Sequence, residues 1–485
     1  MSEKKLSRRG FIGGLGAAAM AGTAISLGIG MKDAEAAAAP NTWDKKTDVV
    51  VVGGGLAGLC AAVEASQRKA KVILLDAFTV TGGNSALSTA WFNAADSSIQ
   101  RKLGIKDSAD DFYKDSMDIS ENKRDPAITR VVADKSSEAI EWLKKQGIVF
   151  LDLAEPAMGS PKPRAIQAQG YGKQLVTTLT ELCKKQKVEV INRARVLNIY
   201  RKIKDGKQRV AGVEADIKGK KVRIGANAVI IATGGFMNNK KLVERFCPQW
   251  SKTLVASTPT NVGDGIIMAA VEGADAINMD RALVTPTLEV KTKIYLTSGA
   301  LSGGAILINE KGQRFTDELK GYTETSIEML KQEKVFEVMV EKCHPKVTTF
   351  IEKKILERGD SVAELAQKLG IDAGNLEKTL ETFNQATAGK ASDPFGRKIF
   401  REKLAPPLYA MQVSPVLLLT LGGLKVDTGA RVLNIRDEVV LQGLYAVGEV
   451  AGGYIDYGYR TGDSLMYCTV FGIIAGKNAA QEKKG

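Results

Sequence analysis

One short segment limits the fold of this chain more than any other: an apolar run that leads into three spaced glycines. Residues 48–52 read Asp-Val-Val-Val-Val, the form of a buried parallel strand. Gly53, Gly55 and Gly58 follow as G-x-G-x-x-G, and a helix is predicted over 56–68. The first glycine permits a tight turn, the second lets the backbone approach a pyrophosphate, and the third lets helix pack on strand. The segment therefore predicts a dinucleotide site in an α/β fold.

Further motifs, widely spaced along the chain, support this site. The strand after the turn ends in Asp76, 23 residues after Gly53, and its carboxylate can accept hydrogen bonds from ribose hydroxyls. Later motifs occupy Thr79–Ala95, Ala226–Phe236, Asn261–Gly265 and Gly443–Gly453. With these motifs in this order, residues 45–482 resemble the FAD-containing family of fumarate reductase and succinate dehydrogenase flavoproteins. Within that family the chain is most similar to periplasmic flavocytochrome c fumarate reductases, urocanate reductase and ketosteroid dehydrogenases.

The resemblance implies an α/β fold: a split Rossmann-like FAD-binding domain with an inserted α+β capping domain. The implied limits are 45–283 and 420–485 for the FAD-binding domain and 284–419 for the cap. FAD would be bound non-covalently, because the "GGNSALS" segment lacks the histidine used for attachment. The implied FAD contacts are Gly53, Gly55, Ala57, Gly58, Asp76, Gly82, Asn84, Ser85, Ser88, Val196, Ala232, Thr233, Gly234, Asp264, Glu449, Ser464 and Leu465.

Two stretches of the cap and the last helix have recognisable patterns. Residues 326–343 and 361–389 show apolar spacings typical of amphipathic surface helices. The C-terminal helix is predicted to begin with Asp463 or Ser464 as its N-cap. Its positive end would then point at the flavin and favour the anionic reduced form.

The charged groups that hold a dicarboxylate in fumarate reductases are mostly missing. Their two histidine positions fall on Thr285 and Leu419, one arginine falls on Leu301, and the proton-donating arginine falls on Tyr322. Arg460 alone matches a retained arginine. Trp91, which stands where relatives often have glycine, would reshape the cavity, and Tyr454, Tyr457 and Tyr459 would line it.

One guanidinium with apolar and aromatic walls suits a monocarboxylate with a hydrophobic body, because a buried dicarboxylate needs at least two cationic anchors. We assign Tyr322 as the candidate proton donor. The alternatives are packing of Tyr322 against the substrate with Arg460 as donor, a structural ion pair of Arg460 with Asp456 or Asp463, and core packing of the tyrosines.

The N-terminus carries the pattern of an export signal. Arg8–Arg9 precede a Gly/Ala-rich apolar run, and Ala34–Ala36 offer a small-residue cleavage site. Residues 1–36 are thus predicted to be a twin-arginine signal peptide, with a membrane anchor as the alternative. The mature chain would be periplasmic, without a membrane span, and would serve anaerobic respiration.

Charge and cysteine content limit the kinds of partner and cofactor that this chain can bind. The chain has a net charge of +13, or about +11 without the signal, and contains no recognisable nucleic-acid module. Five cysteines show no paired pattern, no c-type haem motif is present, and the lone His344 argues against histidine-based metal chemistry. A separate c-type cytochrome is the expected electron donor, and the basic surface would suit it if that cytochrome is acidic.

The sequence therefore predicts an exported FAD-dependent oxidoreductase that reduces the C=C bond of an α,β-unsaturated, apolar or aromatic monocarboxylate. The first alternative is a flavin-dependent ketosteroid-type dehydrogenase or reductase. The others are a fumarate reductase-like enzyme for another small acid, and a flavin-bound electron-transfer subunit without a substrate of its own.

Overall fold

The computed structural model describes residues 37–156, 162–204, 206–294, 296 and 299–482. The predicted signal peptide lies outside these residues. Two compact units are present among the described residues: one comprises 37–249, 257–281 and 419–482, and the other comprises 250–256 and 282–418. These units are defined by compactness alone, so the division into FAD-binding and capping domains stays a prediction.

Strands and helices are numbered here in chain order, over the described residues. The strands are β1 (Ala37–Ala38), β2 (Lys45–Lys46), β3 (Val49–Val52), β4 (Val72–Asp76), β5 (Trp91–Asn93), β6 (Phe150–Pro156), β7 (Pro163–Ala168), β8 (Glu189–Asn192), β9 (Ala194–Lys204), β10 (Lys207–Ile217), β11 (Lys220–Gly225), β12 (Ala228–Ile231), β13 (Leu254–Val255), β14 (Ala276–Ile277), β15 (Ala282–Glu289), β16 (Ile306–Asn309), β17 (Val335–Met339), β18 (Glu357–Gly359), β19 (Leu408–Thr420), β20 (Gly423–Leu424) and β21 (Leu444–Ala446). The α-helices are α1 (Leu56–Gln67), α2 (Gly83–Leu87), α3 (Ser98–Lys102), α4 (Ala109–Ile119), α5 (Pro126–Lys145), α6 (Tyr171–Lys185), α7 (Lys240–Phe246), α8 (Asp264–Val271), α9 (Gly299–Ser302), α10 (Tyr322–Met329), α11 (Pro345–Glu352), α12 (Val362–Leu369), α13 (Ala373–Thr387) and α14 (Asp463–Ala479).

A parallel five-stranded sheet forms the centre of the first unit, in the order β21-β12-β3-β4-β8. All of its pairs are parallel. Strands β3, β12 and β21 are completely buried, as expected for strands covered on both faces. Helix α1 connects β3 to β4 and packs against α14, so the first and last helices of the unit share one core.

Three further sheets in the described residues complete the first unit. The order β1-β9-β10-β11-β2 makes a second five-stranded sheet, β5-β7-β6 a third, and β14-β20 a two-stranded ribbon. The α/β fold expected from the glycine motif is thus present. Among the described residues, none of the helices combines the length and the apolar character needed to cross a lipid bilayer.

The second unit is built around a mixed sheet of order β13-β19-β17-β16, with β15 and β18 also paired to β19. Its core is a cluster of buried apolar side chains from these strands and from α10 to α13. Two helices, α12 and α13, occupy the 361–389 stretch as predicted, separated at Gly370, which has a φ of +69°. The helix predicted over 326–343 is wrong for most of its length.

The wrong prediction has a clear physical cause. Helix α10 ends at Met329, and Val335–Met339 form β17 with every residue buried. Its sequence Val-Phe-Glu-Val-Met is a short, nearly continuous apolar run, and such a run satisfies helical spacing as readily as it forms a central strand. Pairing with β16 and β19 decided between the two.

The lone histidine and the five cysteines have ordinary structural settings. His344 is the N-cap of α11, where its Nδ1 accepts a hydrogen bond from the Lys346 backbone N–H at 3.1 Å. All five cysteine thiols are free and buried.

Candidate functional site

The glycine turn after β3 has the geometry that its sequence predicts. A Cβ on Gly53, whose φ is +109°, would lie 2.2 Å from the Ala232 carbonyl oxygen, and one on Gly58 would lie 2.0 Å from the Gly53 carbonyl oxygen. Neither position can hold a side chain unless the backbone moves. These two glycines therefore let β3, β12 and α1 pack closely at the carboxyl ends of the strands.

Gly55 differs because space opens in front of it. A Cβ there would come no closer than 3.7 Å to any atom, the Ser85 Oγ, and one on Gly83 would come no closer than 4.0 Å, to Gly55 Cα. Gly55 is also the N-cap of α1 and has no side-chain cap. Two bare backbones thus face each other beside a helix N-terminus, which is an arrangement that fits a pyrophosphate.

The side chains around this gap are held by hydrogen bonds. Ser85 Oγ accepts from the Leu56 backbone N–H at 3.1 Å, and Ser88 Oγ donates to the Ser85 carbonyl at 2.7 Å. Asp76 accepts from the Gly54 and Phe78 backbone N–H groups, both at 2.7 Å. Burial raises the pKa of Asp76, although these two bonds oppose the shift. Asp76 therefore braces the turn, and each carboxylate oxygen keeps a lone pair that can accept from a ribose.

Glu449, predicted to contact FAD, lies in a buried polar group. It accepts hydrogen bonds from the Thr420 backbone N–H at 3.1 Å, from Asn261 Nδ2 at 3.3 Å and from Asn84 Nδ2 at 3.5 Å. Burial raises the pKa of Glu449 to about 7. Asn84 Oδ1 accepts in turn from Thr258 N at 3.0 Å. The predicted contacts Asn84 and Glu449 are thus brought together from positions 365 residues apart in the chain.

Other predicted cofactor contacts surround the same strand ends. Asp264 opens α8 and forms a bidentate ion pair with Arg195 at 2.7 and 2.8 Å, next to the buried Val196. Ala232 and Thr233 follow β12 directly, and Gly234 after them has a φ of +74°. The further predicted contacts in the first unit lie on α1, in the turn before α2, and on α14: Ala57, Gly82, Ser464 and Leu465.

The start of the last helix differs by one residue from the prediction. Helix α14 begins at Asp463, and its N-cap is Gly462 with a φ of +100° and no side-chain cap. Asp463 is not the cap because its carboxylate binds other partners: Arg124 Nη2 at 2.7 Å and Asn93 Nδ2 at 2.8 Å. The backbone N–H groups of the first turn are left without a capping side chain.

Arg460 and Tyr454 are enclosed in this same region. The Arg460 side chain is 1% exposed, pairs with Asp463 at 3.4 Å and donates to Ser116 Oγ at 2.6 Å. Tyr454 is 1% exposed and lies beneath Arg124, whose Cζ is 4.5 Å from the ring centroid. The structure thus gives Arg460 the ion pair, and Tyr454 the core packing, that the sequence left open as alternatives.

One arginine that the sequence analysis did not consider remains accessible. Arg281 is 44% exposed at its side chain, pairs with the exposed Asp280 at 3.6 Å, and has its Cζ 4.5 Å from the ring centroid of Tyr457. The Leu421 backbone N–H donates to the Arg281 carbonyl at 2.9 Å, two residues after the half-buried Leu419. Arg281 therefore contacts one predicted substrate position, Tyr457, and its backbone is bonded to the segment that follows another, Leu419. No local motif marks it, since its neighbours come from distant segments.

Trp91 and Tyr459, the other predicted substrate positions of this unit, are half-buried. Trp91 opens β5 directly after Ala90, which has a φ of +56°. Tyr459 precedes Arg460 in the loop before α14.

The second unit contains the remaining predicted residues. Thr285 lies on the fully buried strand β15, and α10, which begins at the half-buried Tyr322, packs on that strand. Ser326 Oγ of this helix donates to the Val284 carbonyl at 3.3 Å. Leu301 is 1% exposed within the apolar core. The unit thus brings the strand of Thr285 and the helix of Tyr322 together, whereas Leu301 packs internally.

Comparison with known proteins identifies the family of this chain. The model of the FAD binding domain family matches residues 48–464. The cytochrome-type fumarate reductase of Shewanella frigidimarina is 32% identical over 447 residues, covering 90% of this chain and 77% of that protein. The open conformation of a flavocytochrome c3 fumarate reductase has a TM-score of 0.80 at 29% identity, covering 90% of this chain and 79% of that one. The 3-ketosteroid-Δ4-(5α)-dehydrogenase of Rhodococcus jostii RHA1, solved with 4-androstene-3,17-dione, has a TM-score of 0.75 at 25% identity, covering 92% and 100%.

Proposed function

The chain belongs to the FAD binding domain family and is an FAD-dependent oxidoreductase of the fumarate reductase type acting on C=C bonds, and from this premise we propose that it reduces an α,β-unsaturated monocarboxylate with an apolar or aromatic body. The cofactor fits the residues present: the backbones of Gly55 and Gly83 are uncovered by side chains beside the N-terminus of α1, where a pyrophosphate can approach. In this proposal the FAD contacts are the residues named from the sequence.

The proposal is carried by the unequal accessibility of three arginines around the loop before α14. Arg124 and Arg460 are both buried and both bound to Asp463, whereas Arg281 is exposed, stacked on Tyr457, and paired with Asp280 at the surface at 3.6 Å, where solvent weakens the ion pair. A guanidinium that is already paired in the core cannot bind a carboxylate without losing its partner. We therefore move the substrate-anchoring role from Arg460 to Arg281. One accessible anchor favours one carboxylate on the substrate.

Three side chains have roles in the proposed mechanism. Bound FAD would supply a hydride to the β-carbon of the polarised double bond. Arg281 would hold the carboxylate, and Tyr457 would present its ring to the apolar body of the substrate. Tyr322 would donate a proton from its phenol oxygen to the α-carbon.

A substrate screen with reduced methyl viologen as electron donor tests this function. Purified holoenzyme should reduce aryl or alkyl enoates faster than fumarate, because the proposed site holds a single carboxylate, on Arg281. Arg281→Met should lower kcat/KM for the enoates by about 10- to 100-fold, the value of a charge-assisted hydrogen bond. In the same assay, Tyr322→Phe should lower kcat more than it raises KM.

Arg245→Met is the matched control, since Arg245 is an exposed arginine of the same unit whose Cζ lies 5.6 Å from the Phe246 ring centroid. It should leave turnover of the enoates unchanged. Fumarate as the fastest substrate, or an Arg281→Met enzyme with full enoate activity, would contradict the proposal.

A ketosteroid-type reaction is the second candidate. The similarity to the Rhodococcus jostii enzyme and the aromatic loop around Tyr457 favour it. The Arg281→Met variant separates the two candidates, because a neutral ketone has no carboxylate for a guanidinium to hold. Turnover of a 3-ketosteroid that survives this substitution, without any enoate activity in the parent enzyme, would favour the second candidate.

We further propose that the enzyme is exported and receives electrons from a separate c-type cytochrome. The Arg8–Arg9 signal pattern and the relatives linked to cytochromes support this. Replacing Arg8 and Arg9 by lysines should shift the protein from the periplasmic to the cytoplasmic fraction of the cell. Equal periplasmic amounts of the two forms would refute the export route.

A further inference from the structure

Three charged side chains form a closed group at the N-terminal end of α14, and we name Arg124, Asp463 and Arg460 the helix-end triad. Arg124 Nη2 lies 2.7 Å from Asp463 Oδ2, and Arg460 Nε lies 3.4 Å from the same oxygen. The side chains of Arg124 and Asp463 are 0% exposed, and that of Arg460 is 1% exposed. The interaction is therefore shielded from solvent and from salt.

The triad places the Asp463 carboxylate at the N-terminal end of α14, the end predicted to point at the flavin. Asp463 is the first residue of α14, where the helix carries its positive partial charge. Burial raises the pKa of Asp463, but Arg460 and Arg124 outweigh it and hold the pKa below its usual range, so the carboxylate stays ionised. On its own, this charge would weaken the positive potential at the helix end and disfavour an anionic reduced flavin.

The two arginines have hydrogen-bonding capacity beyond Asp463. Among the described residues, Arg124 Nη1, Arg460 Nη1 and Asn93 Oδ1 are buried and make no hydrogen bond. Arg124 also donates to the carbonyl oxygens of Tyr457 and Gly458, both at 2.8 Å. It is thereby fixed to the loop that leads into α14, and its charge cannot move away from the helix end.

Two further carboxylates lie close to the triad and have partners of their own. Asp456 accepts from Asn278 Nδ2 at 2.5 Å and from the Gly453 N–H at 3.1 Å, and burial raises its pKa. Asp125 caps α5 by accepting from the Ile128 N–H at 2.9 Å. The charges of the three triad members therefore act on the electrostatic potential at this helix end from fixed positions.

We propose that Arg124 and Arg460 set the reduction potential of the flavin by balancing the Asp463 carboxylate at the N-terminal end of α14. They act as positioning and electrostatic residues rather than as substrate anchors. This inference rests on one part of the proposed function, that FAD is bound with its flavin at this helix end. It does not depend on the identity of the substrate. A cation added near the reduced flavin raises its potential, and an added anion lowers it.

The test measures the holoenzyme without substrate, by spectroelectrochemical titration and by sulfite binding to the flavin. Sulfite gives an adduct whose negative charge is spread over the flavin, so its affinity reports the same field. Arg124→Met should weaken sulfite binding by about tenfold and lower the two-electron potential by ~30 mV. Asp463→Asn should shift both quantities in the opposite direction.

Two further variants make the result decisive. Arg124→Lys keeps the charge and should stay near the parent potential even if it lowers the melting temperature. Arg314→Met is the matched control, because Arg314 is a buried arginine bound to two carboxylates, Glu318 and Asp393, in the second unit. It should destabilise the fold without moving the potential.

The proposal is overturned if Arg124→Met and Asp463→Asn shift the potential in the same direction or leave it unmoved, or if Arg314→Met shifts it equally. If Arg124→Met fails to fold, two other variants still test the proposal: Asp463→Asn should raise the potential, and Arg124→Lys should leave it near the parent value. Potentials are measured without substrate, so a wrong substrate class would leave this outcome intact, and loss of flavin absorbance would reveal a failure of FAD binding instead.

Discussion

Gly58→Ala is expected to abolish the folded, FAD-loaded enzyme. The new Cβ would lie 2.0 Å from the Gly53 carbonyl oxygen and 3.2 Å from Ala232 Cβ, both on elements that cannot rotate away. Helix α1 would have to move off β3, at a cost of roughly 3 kcal/mol or more, by analogy with overpacked cores. Thermal unfolding of the apoprotein and the flavin content of the purified protein measure this effect.

Gly55→Ala is the matched comparison, because it adds the same methyl group to open space. Gly55 has a φ of −71°, which alanine adopts easily, and the nearest atom would be 3.7 Å away. The apoprotein should lose only about 1 kcal/mol, from a poorer N-cap residue. The methyl group would instead enter the gap assigned to the pyrophosphate, and FAD affinity should fall by at least about tenfold in a fluorescence titration. Equal FAD affinity in parent and variant would place the pyrophosphate elsewhere.

Glu337→Leu is expected to stabilise the second unit at alkaline pH. Glu337 lies in the middle of β17, 0% exposed, and neither carboxyl oxygen has a hydrogen-bond partner among the described residues. Burial raises its pKa to about 8, from 4.5. The part of the free energy of unfolding that depends on Glu337 is therefore fully present below pH 4.5. It declines above that pH, because Glu337 ionises in the unfolded chain while it stays protonated in the fold, and it is lost by about pH 8. The loss is on the order of 4 kcal/mol.

The measurement is the melting temperature of parent and variant at pH 5 and pH 8.5. The variant should gain little at pH 5 and several degrees at pH 8.5, since leucine has no charge to bury. Glu318→Gln serves as the control, because Glu318 is an equally buried carboxylate of the same unit bound to Arg314 and Arg397. It should lose stability at both pH values. A parent protein whose melting temperature is the same at both pH values would contradict the assignment of Glu337.

The residues that could be found from the sequence are those whose role depends on near neighbours. The turn of Gly53, Gly55 and Gly58 lies within six residues, between a strand and a helix that the apolar pattern marks. Strand β3, helix α1 and strand β4 accordingly form as predicted. The FAD family needed the later motifs as well, and its model matches residues 48–464. In the same way Gly370 separates α12 from α13, because its left-handed conformation ends a helix locally.

The residues that could not be found depend on contacts between distant segments. Arg124 and Asp463 are separated by 339 positions, and their ion pair explains why Asp463 does not cap α14. The sequence of strand β17 fits a helix as well as a strand, and its pairing with β16 and β19 decides between the two. Arg281 becomes notable because Tyr457 packs on it.

By itself, then, the sequence determined the cofactor-binding turn and the α/β class, since both are written in residue types at short spacing. The tertiary structure alone decided that Arg124 and Arg460 are buried in ion pairs with Asp463 and that Arg281 is exposed beside Tyr457. The physical reason is that a guanidinium has the same intrinsic chemistry at every position. Only the carboxylates, aromatic rings and solvent that surround it after folding determine whether its charge is available to a substrate.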